Sequence, residues 1–170
     1  MEKQTDNTKF IISRFDAYIS QANVKGNFLL AFNTFLIGGI ITNYSKIIEL
    51  VGCEQILFVN CILIVMFILS IITAFFVIKA VYPFLSSSNS SKEKYHSHIF
   101  FNSVSEFKDG NEYFDSLSNH NDKQFDSDLA NQAYLLAKGC KKKYKNLQLA
   151  MIFVYVEMGL MLSLLLIIIF

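Results

Sequence analysis

The run CILIVMFILSIITAFFVI, residues 61–78, has 18 positions, no charge, and only Ser70 and Thr73 as polar side chains. A stretch of about 18 apolar residues is long enough to cross the ~30 Å hydrocarbon core of a bilayer as a helix. Lys79 follows it and can hold its ammonium at the interface while its stem stays in hydrocarbon. Tyr82 suits the same interface, and Pro83 ends the helix because it lacks the N–H that a further turn needs. Residues 55–82 therefore read as a membrane span.

Two more apolar blocks flank this one, Phe28–Ile41 and Leu149–Phe170. The first is short of the ~20 residues a span needs, and must borrow Gly26, Asn27 and residues beyond Thr42. Composition agrees with a membrane protein. Of 170 residues, 53% are hydrophobic and 17% charged, well under the ~25% charge of soluble domains. That length fits one domain, with a single proline and no tryptophan. Disordered, collagen-like and fibrous coiled-coil classes are excluded. The net charge of +1 points to no nucleic-acid partner.

Charge distribution sets the expected topology. Lys3, Lys9, Arg14 and Lys25 precede Phe28, Lys46 lies between the first two blocks, and ten of the 15 basic residues run from Lys79 to Lys145. The positive-inside rule holds both large groups in the cytoplasm and places Asn43–Gln55 outside. The expectation is three spans, with a cytoplasmic N-terminus and the C-terminus outside. The first 24 residues lack the basic-then-apolar order of a signal peptide, so the first span is expected to insert uncleaved. Cysteines at 53, 61 and 140 give no disulfide framework and no metal spacing.

Both outer spans continue into polar arms. Ile11, Phe15, Tyr18 and Ala22 recur at helical steps, widened by Ile12 and Ile19. One helix is expected from about Asn7 to Leu50 (7–50), with Gly38–Gly39 as a close-packing point. At the other end, Asp126 is the expected N-cap, with Asp128 favouring the helix dipole. Leu129, Ala133, Leu136, Cys140, Tyr144 and Leu147 then form one stripe. Residues 126–170 would span roughly 68 Å at ~1.5 Å per residue, so about half stands outside the hydrocarbon as a stalk. The two stalks run the same way, and their stripes can pair within or between subunits.

The insert 83–125 opens on a Ser-Ser-Ser-Asn-Ser-Ser linker at 86–91. Phe100, Val104 and Phe107, then Tyr113 and Leu117, predict two short helices broken at Asp109-Gly110. Too short to fold alone, the insert is expected to pack Phe100, Phe101, Phe107 and Phe114 on the arms.

Glu157 is the only charge inside the last block. A central acidic residue costs ~2.5–3.5 kcal/mol to insert, which 14 Leu, Ile, Val or Phe residues at about −0.3 to −0.6 kcal/mol each offset. It must face a partner helix or water. It reads either as a pore-lining or gating carboxylate, or as a protonated carboxyl bonded to Asn33, Thr34 or Asn60. Asn33 and Asn60 themselves read as interhelical hydrogen-bond partners. Lys141-Lys142-Lys143 with Lys138 and Lys145 reads either as a phosphate site, for lipid or nucleotide, or as a topology signal at the membrane face. His96, His98 and His120 lack diagnostic metal spacing, and no metal site is expected. Sequons at 43–45 and 89–91 are of the kind chance supplies. No nucleophile, phosphate loop or acid–base pair is placed, so no enzyme is expected.

The segment Arg14-Phe-Asp-Ala-Tyr-Ile-Ser-Gln-Ala-Asn-Val-Lys25, running into a span, resembles the leading helix of the Pycsar effector transmembrane family. Asp128-Leu-Ala-Asn-Gln-Ala-Tyr-Leu-Leu-Ala137, then Lys143-Tyr-Lys-Asn-Leu147 and a last span, is similar to its final helix. His98-Ile-Phe-Phe101 after the second span also fits. The resemblance covers nearly the whole chain and implies a bacterial anti-phage effector. In that family a cyclase senses infection and makes a cyclic pyrimidine mononucleotide, and the effector then impairs the inner membrane so that the cell dies or stops growing before the phage matures. Positions matching the arms are Arg14, Asp16, Asn23, Lys25, Gln132, Lys143 and Tyr144.

The expected architecture is all-α: a single domain, 1–170, of three spans, two helical stalks and a small helical cap. Homo-oligomerisation is expected because three spans cannot enclose a pore and the stalk stripes invite association. The ligand is expected to be cyclic CMP or cyclic UMP. Arg14, Lys25, Lys143 and Lys145 have the charge and location to meet its phosphate. Two other classes stay open: a constitutive small channel subunit, and a membrane adaptor whose stalk docks a soluble partner.

Overall fold

The computed structural model describes residues 2–83 and 97–169. Five helices follow in order: α1 (Glu2–Glu49), α2 (Ile56–Val81), α3 (Phe101–Val104), α4 (Gly110–Ser118) and α5 (Asp122–Ile169). The protein is all-α, and α1, α2 and α5 are each long and apolar enough to cross a membrane. At 48 residues each, α1 and α5 measure roughly 72 Å, more than twice the hydrocarbon thickness. The serine-rich linker, the sequon at 89–91 and His96 lie outside the described residues.

The chain divides into two compact units. One comprises Ala22–Tyr82 and Lys143–Phe170, and the other Met1–Gln21 and Pro83–Lys142. In the first unit every helix buries residues at alternating steps of four and three. They are Ala22, Gly26, Leu29 and Asn33 on α1, and Val59, Leu63, Met66, Ser70, Thr73, Val77 and Ala80 on α2. On α5 they are Lys143, Leu147, Ala150, Val154 and Glu157, with Leu164 a full seven residues further on. A 3.5-residue repeat keeps one seam facing its neighbours, as in left-handed helical bundles. Ala22, Leu29, Val77, Ala80, Leu147, Ala150 and Val154 form one buried cluster, and Val51, Val59, Leu63 and Leu164 another. On the opposite faces Phe35 and Leu57 are each 77% exposed, as suits residues facing lipid rather than water.

The close-packing glycine is Gly26, not Gly38–Gly39. A Cβ on Gly26 would lie 2.5 Å from Val81 Cγ1 and 3.6 Å from Leu147 Cδ2, whereas Gly38 and Gly39 have open space there. Gly26 occupies the seam, and the glycine pair has rotated off it.

In the other unit, α5 begins at Asp122, so Asp126 is not its N-cap. Asn121 Oδ1 accepts from the Gln124 N–H at 2.8 Å, and Gln124 Oε1 accepts from the Asn121 N–H at 3.1 Å. This reciprocal box satisfies two donors at the helix start, which is why the helix nucleates a turn early. Asp126 instead accepts from the Thr5 hydroxyl. The break at Asp109-Gly110 is present: Asp109 Oδ1 caps α4 by accepting from the Asn111 and Glu112 N–H groups, both at 2.9 Å. Phe101 and Phe114, expected to pack on the arms, are exposed, and Phe107 lies 5.4 Å from the Tyr113 ring of the insert itself. Hydrogen bonds to α5 hold this segment, so its aromatic residues need not all turn inward.

Candidate functional site

The polar residues of the spans are paired across helices. Asn33 of α1 donates through Nδ2 to the Ser70 carbonyl at 2.8 Å, and the Ser70 hydroxyl donates back to Asn33 Oδ1 at 2.8 Å. One turn along α2, the Thr73 hydroxyl donates to Glu157 Oε1 of α5 at 3.0 Å. Asn33, Ser70, Thr73 and Glu157 are all buried, on the seam itself. Where no water competes, an unpaired polar group is expensive, so these pairs set which faces meet. Neither Asn33, Thr34 nor Asn60 is the partner of Glu157. Asn33 is taken by Ser70, Thr34 bonds back to the Leu30 carbonyl at 2.8 Å, and Asn60 accepts from the Tyr44 hydroxyl at 2.9 Å. Asn33 and Asn60 do link α1 to α2, as their place in apolar runs predicts.

A buried lysine closes the same unit. The Lys143 ammonium donates to the Ala80 carbonyl at 2.7 Å, the Tyr82 carbonyl at 3.0 Å and Asn23 Oδ1 at 3.0 Å. Lys143 is 4% exposed, so its charge is committed to the protein. Ala80 lies in the last turn of α2, where carbonyls lack intrahelical partners and the macrodipole favours a cation. One side chain of α5 thus joins α1 and the end of α2, with Gly26 a turn from Asn23 giving the room.

The remaining residues singled out by sequence fall apart from this centre. Lys25 is exposed, its ammonium 5.9 Å from the Tyr144 ring, and Lys145 is exposed. Arg14 belongs to the other unit, where its guanidinium donates to the Tyr18 hydroxyl at 2.7 Å and lies 5.9 Å from the Phe10 ring. Asp16 is exposed. Gln132 is buried, its Nε2 donating to Ser97 Oγ at 3.0 Å.

That last bond belongs to a network not anticipated from sequence. Asp128 Oδ2 accepts from the His98 N–H at 2.8 Å and the Ser97 hydroxyl at 3.1 Å. His98 Nε2 bonds Ser116 Oγ at 2.8 Å, and the Tyr113 hydroxyl donates to the His98 carbonyl at 2.9 Å. The signal was available: Asp128 and Gln132 are polar side chains four residues apart on the buried stripe of α5. Among the described residues no cluster of three or more His, Cys, Asp or Glu could hold a metal ion.

Fold and site define a multi-pass helical membrane protein whose spans are registered by buried polar pairs and closed by a buried lysine. The family model describing the Pycsar effector protein domain matches residues 7–170. The chain belongs to that family. No curated protein and no solved structure matches it.

Proposed function

We propose that this protein is an anti-phage effector of the bacterial inner membrane. On a cyclic pyrimidine mononucleotide signal, cyclic CMP or cyclic UMP, it impairs membrane integrity and so aborts infection. Membership of the Pycsar effector family over residues 7–170 carries this reading. Glu157, an ionisable residue buried inside a span, is the position this reading takes as functional. The protein acts without catalysis, as a homo-oligomer with a cytoplasmic N-terminus, downstream of a nucleotide cyclase. Lys25 and Lys145 of the span unit, whose side chains reach solvent, are residues offered to the nucleotide phosphate, and the exposed Arg14 of the other unit is a separate candidate. Lys143 acts by holding the three helices of the span unit together.

The test is dye entry and membrane potential in bacteria expressing the chain, with and without added cyclic CMP or cyclic UMP. Nucleotide-dependent depolarisation is the expected result. Depolarisation without nucleotide would mean a constitutive channel. Intact membranes under every condition, with a stable soluble partner recovered, would mean an adaptor.

A further inference from the structure

Between α1 and α2 runs an open groove of about 560 Å³, within the size range of small-molecule sites. Ile37 and Ile41 form one wall, and Ile64 and Phe67 the other. Its mouth is polar, formed by Tyr44 and Asn60. The Tyr44 hydroxyl donates to Asn60 Oδ1 at 2.9 Å, which leaves the Asn60 amide nitrogen as the donor at the mouth. Among the described residues nothing accepts from that nitrogen.

Depth identifies what meets it. Tyr44 lies five residues before the end of α1, and Asn60 four residues after the start of α2. At ~1.5 Å per residue both sit roughly 6–8 Å in from the helix ends. The interfacial layer on each side of a bilayer is about 5–8 Å thick. The tyrosine and asparagine therefore lie where headgroups give way to hydrocarbon, the level of glycerol esters and a usual place for tyrosine. From there the walls run seven residues deeper, to Ile37 and Phe67, or roughly 10 Å. An apolar channel of that length below an amide donor at ester depth has the chemistry of one lipid chain.

We propose that this groove is a binding site for a membrane phospholipid. One acyl chain lies along Ile41, Ile64, Ile37 and Phe67, and its ester carbonyl accepts from Asn60 Nδ2. At the edge of the hydrocarbon a donor without a partner is costly, and an ester carbonyl satisfies this one without displacing Tyr44. The site lies apart from Glu157 and Lys143 and does not depend on the signalling function.

Native mass spectrometry of the full chain, released from detergent with dioleoyl phosphatidylethanolamine or its ether-linked analogue, tests this. Wild type is expected to retain one ester lipid per chain. Ile64→Trp, which fills the groove, is expected to cut retention at least tenfold, while Leu162→Trp on the exposed face of α5 leaves it unchanged. Asn60→Leu is expected to cut it about 2–10-fold, the effect of one hydrogen bond. The ether analogue should bind wild type as weakly as the ester lipid binds Asn60→Leu, with no further loss in that variant. Should Ile64→Trp lose helicity, Ile41→Trp fills the same groove from α1 and carries the comparison. Equal retention by wild type and the groove-filling variant would overturn the site. Equal binding of ester and ether lipids would overturn the Asn60 contact. A lipid-free dimer that Ile64→Trp dissociates would show that a second copy, not lipid, fills the groove.

Discussion

Lys143 donates to the Ala80 carbonyl at 2.7 Å from a position almost wholly out of solvent. The bond fastens the C-terminal end of α2 to α5, and the same ammonium reaches Asn23 of α1. Lys143→Met is therefore expected to leave two carbonyls and a carboxamide without their cation. Hydrogen bonds to a charged group are worth about 1.5–3 kcal/mol, and the variant should lose at least that much. Thermal unfolding in detergent, followed by circular dichroism, measures it. Lys145→Met, at an exposed position, should shift stability by less than about 0.5 kcal/mol.

Thr73 and Glu157 form one hydrogen bond across two spans. In a double-mutant cycle of Thr73→Val and Glu157→Leu, the coupling energy is expected to be about 0.6 kcal/mol, up to about 1.7, the range for polar pairs in membranes. Unfolding in mixed micelles gives the four stabilities. A coupling of zero would show that the two side chains do not act as a pair. Under the proposed function, Glu157→Leu should reduce nucleotide-dependent depolarisation at least tenfold while the protein still reaches the membrane.

Gly26 and Gly38 should respond in opposite ways to alanine. At Gly26 the new methyl meets the stiff, branched Val81 side chain, and overpacking of this kind costs about 1–3 kcal/mol. At Gly38 the methyl meets nothing, and the helix gains propensity, up to about 1 kcal/mol. Melting temperatures of the two variants in one detergent decide it.

Ser97 and Asp128 tie the insert to α5, and Ser97 Oγ also accepts from the Phe100 N–H at 3.1 Å. Asp128→Ala strips the partner from two buried donors, at about 1–3 kcal/mol each. The expected readout is faster hydrogen exchange and proteolysis in 97–118, with the span region unchanged. Asn121→Ala should cost less, about 1 kcal/mol, as a lost helix cap.

The three spans, the two long helices and the break before Gly110 were all legible in sequence. Each rests on local chemistry: apolar run length, periodicity, the position of Pro83, and Asp followed by Gly. The start of α5 differs from the expected one because an acidic residue at 126 reads as a cap. The Asn121–Gln124 box, five residues upstream, satisfies more donors and wins.

What sequence alone determined is which residues must leave water and that polar ones among them need partners. Glu157, Asn33 and Asn60 stood out because each interrupts an apolar run. Only the tertiary structure decided the partners. Thr73 rather than Asn33 meets Glu157, Ser70 meets Asn33, and Lys143 is drawn from a cluster of similar lysines into a buried bond with carbonyls of α2. The reason is physical. Run length and helical period depend on neighbours a few residues away. A hydrogen bond between helices depends on axial register and rotation, which the packing of all three seams sets together.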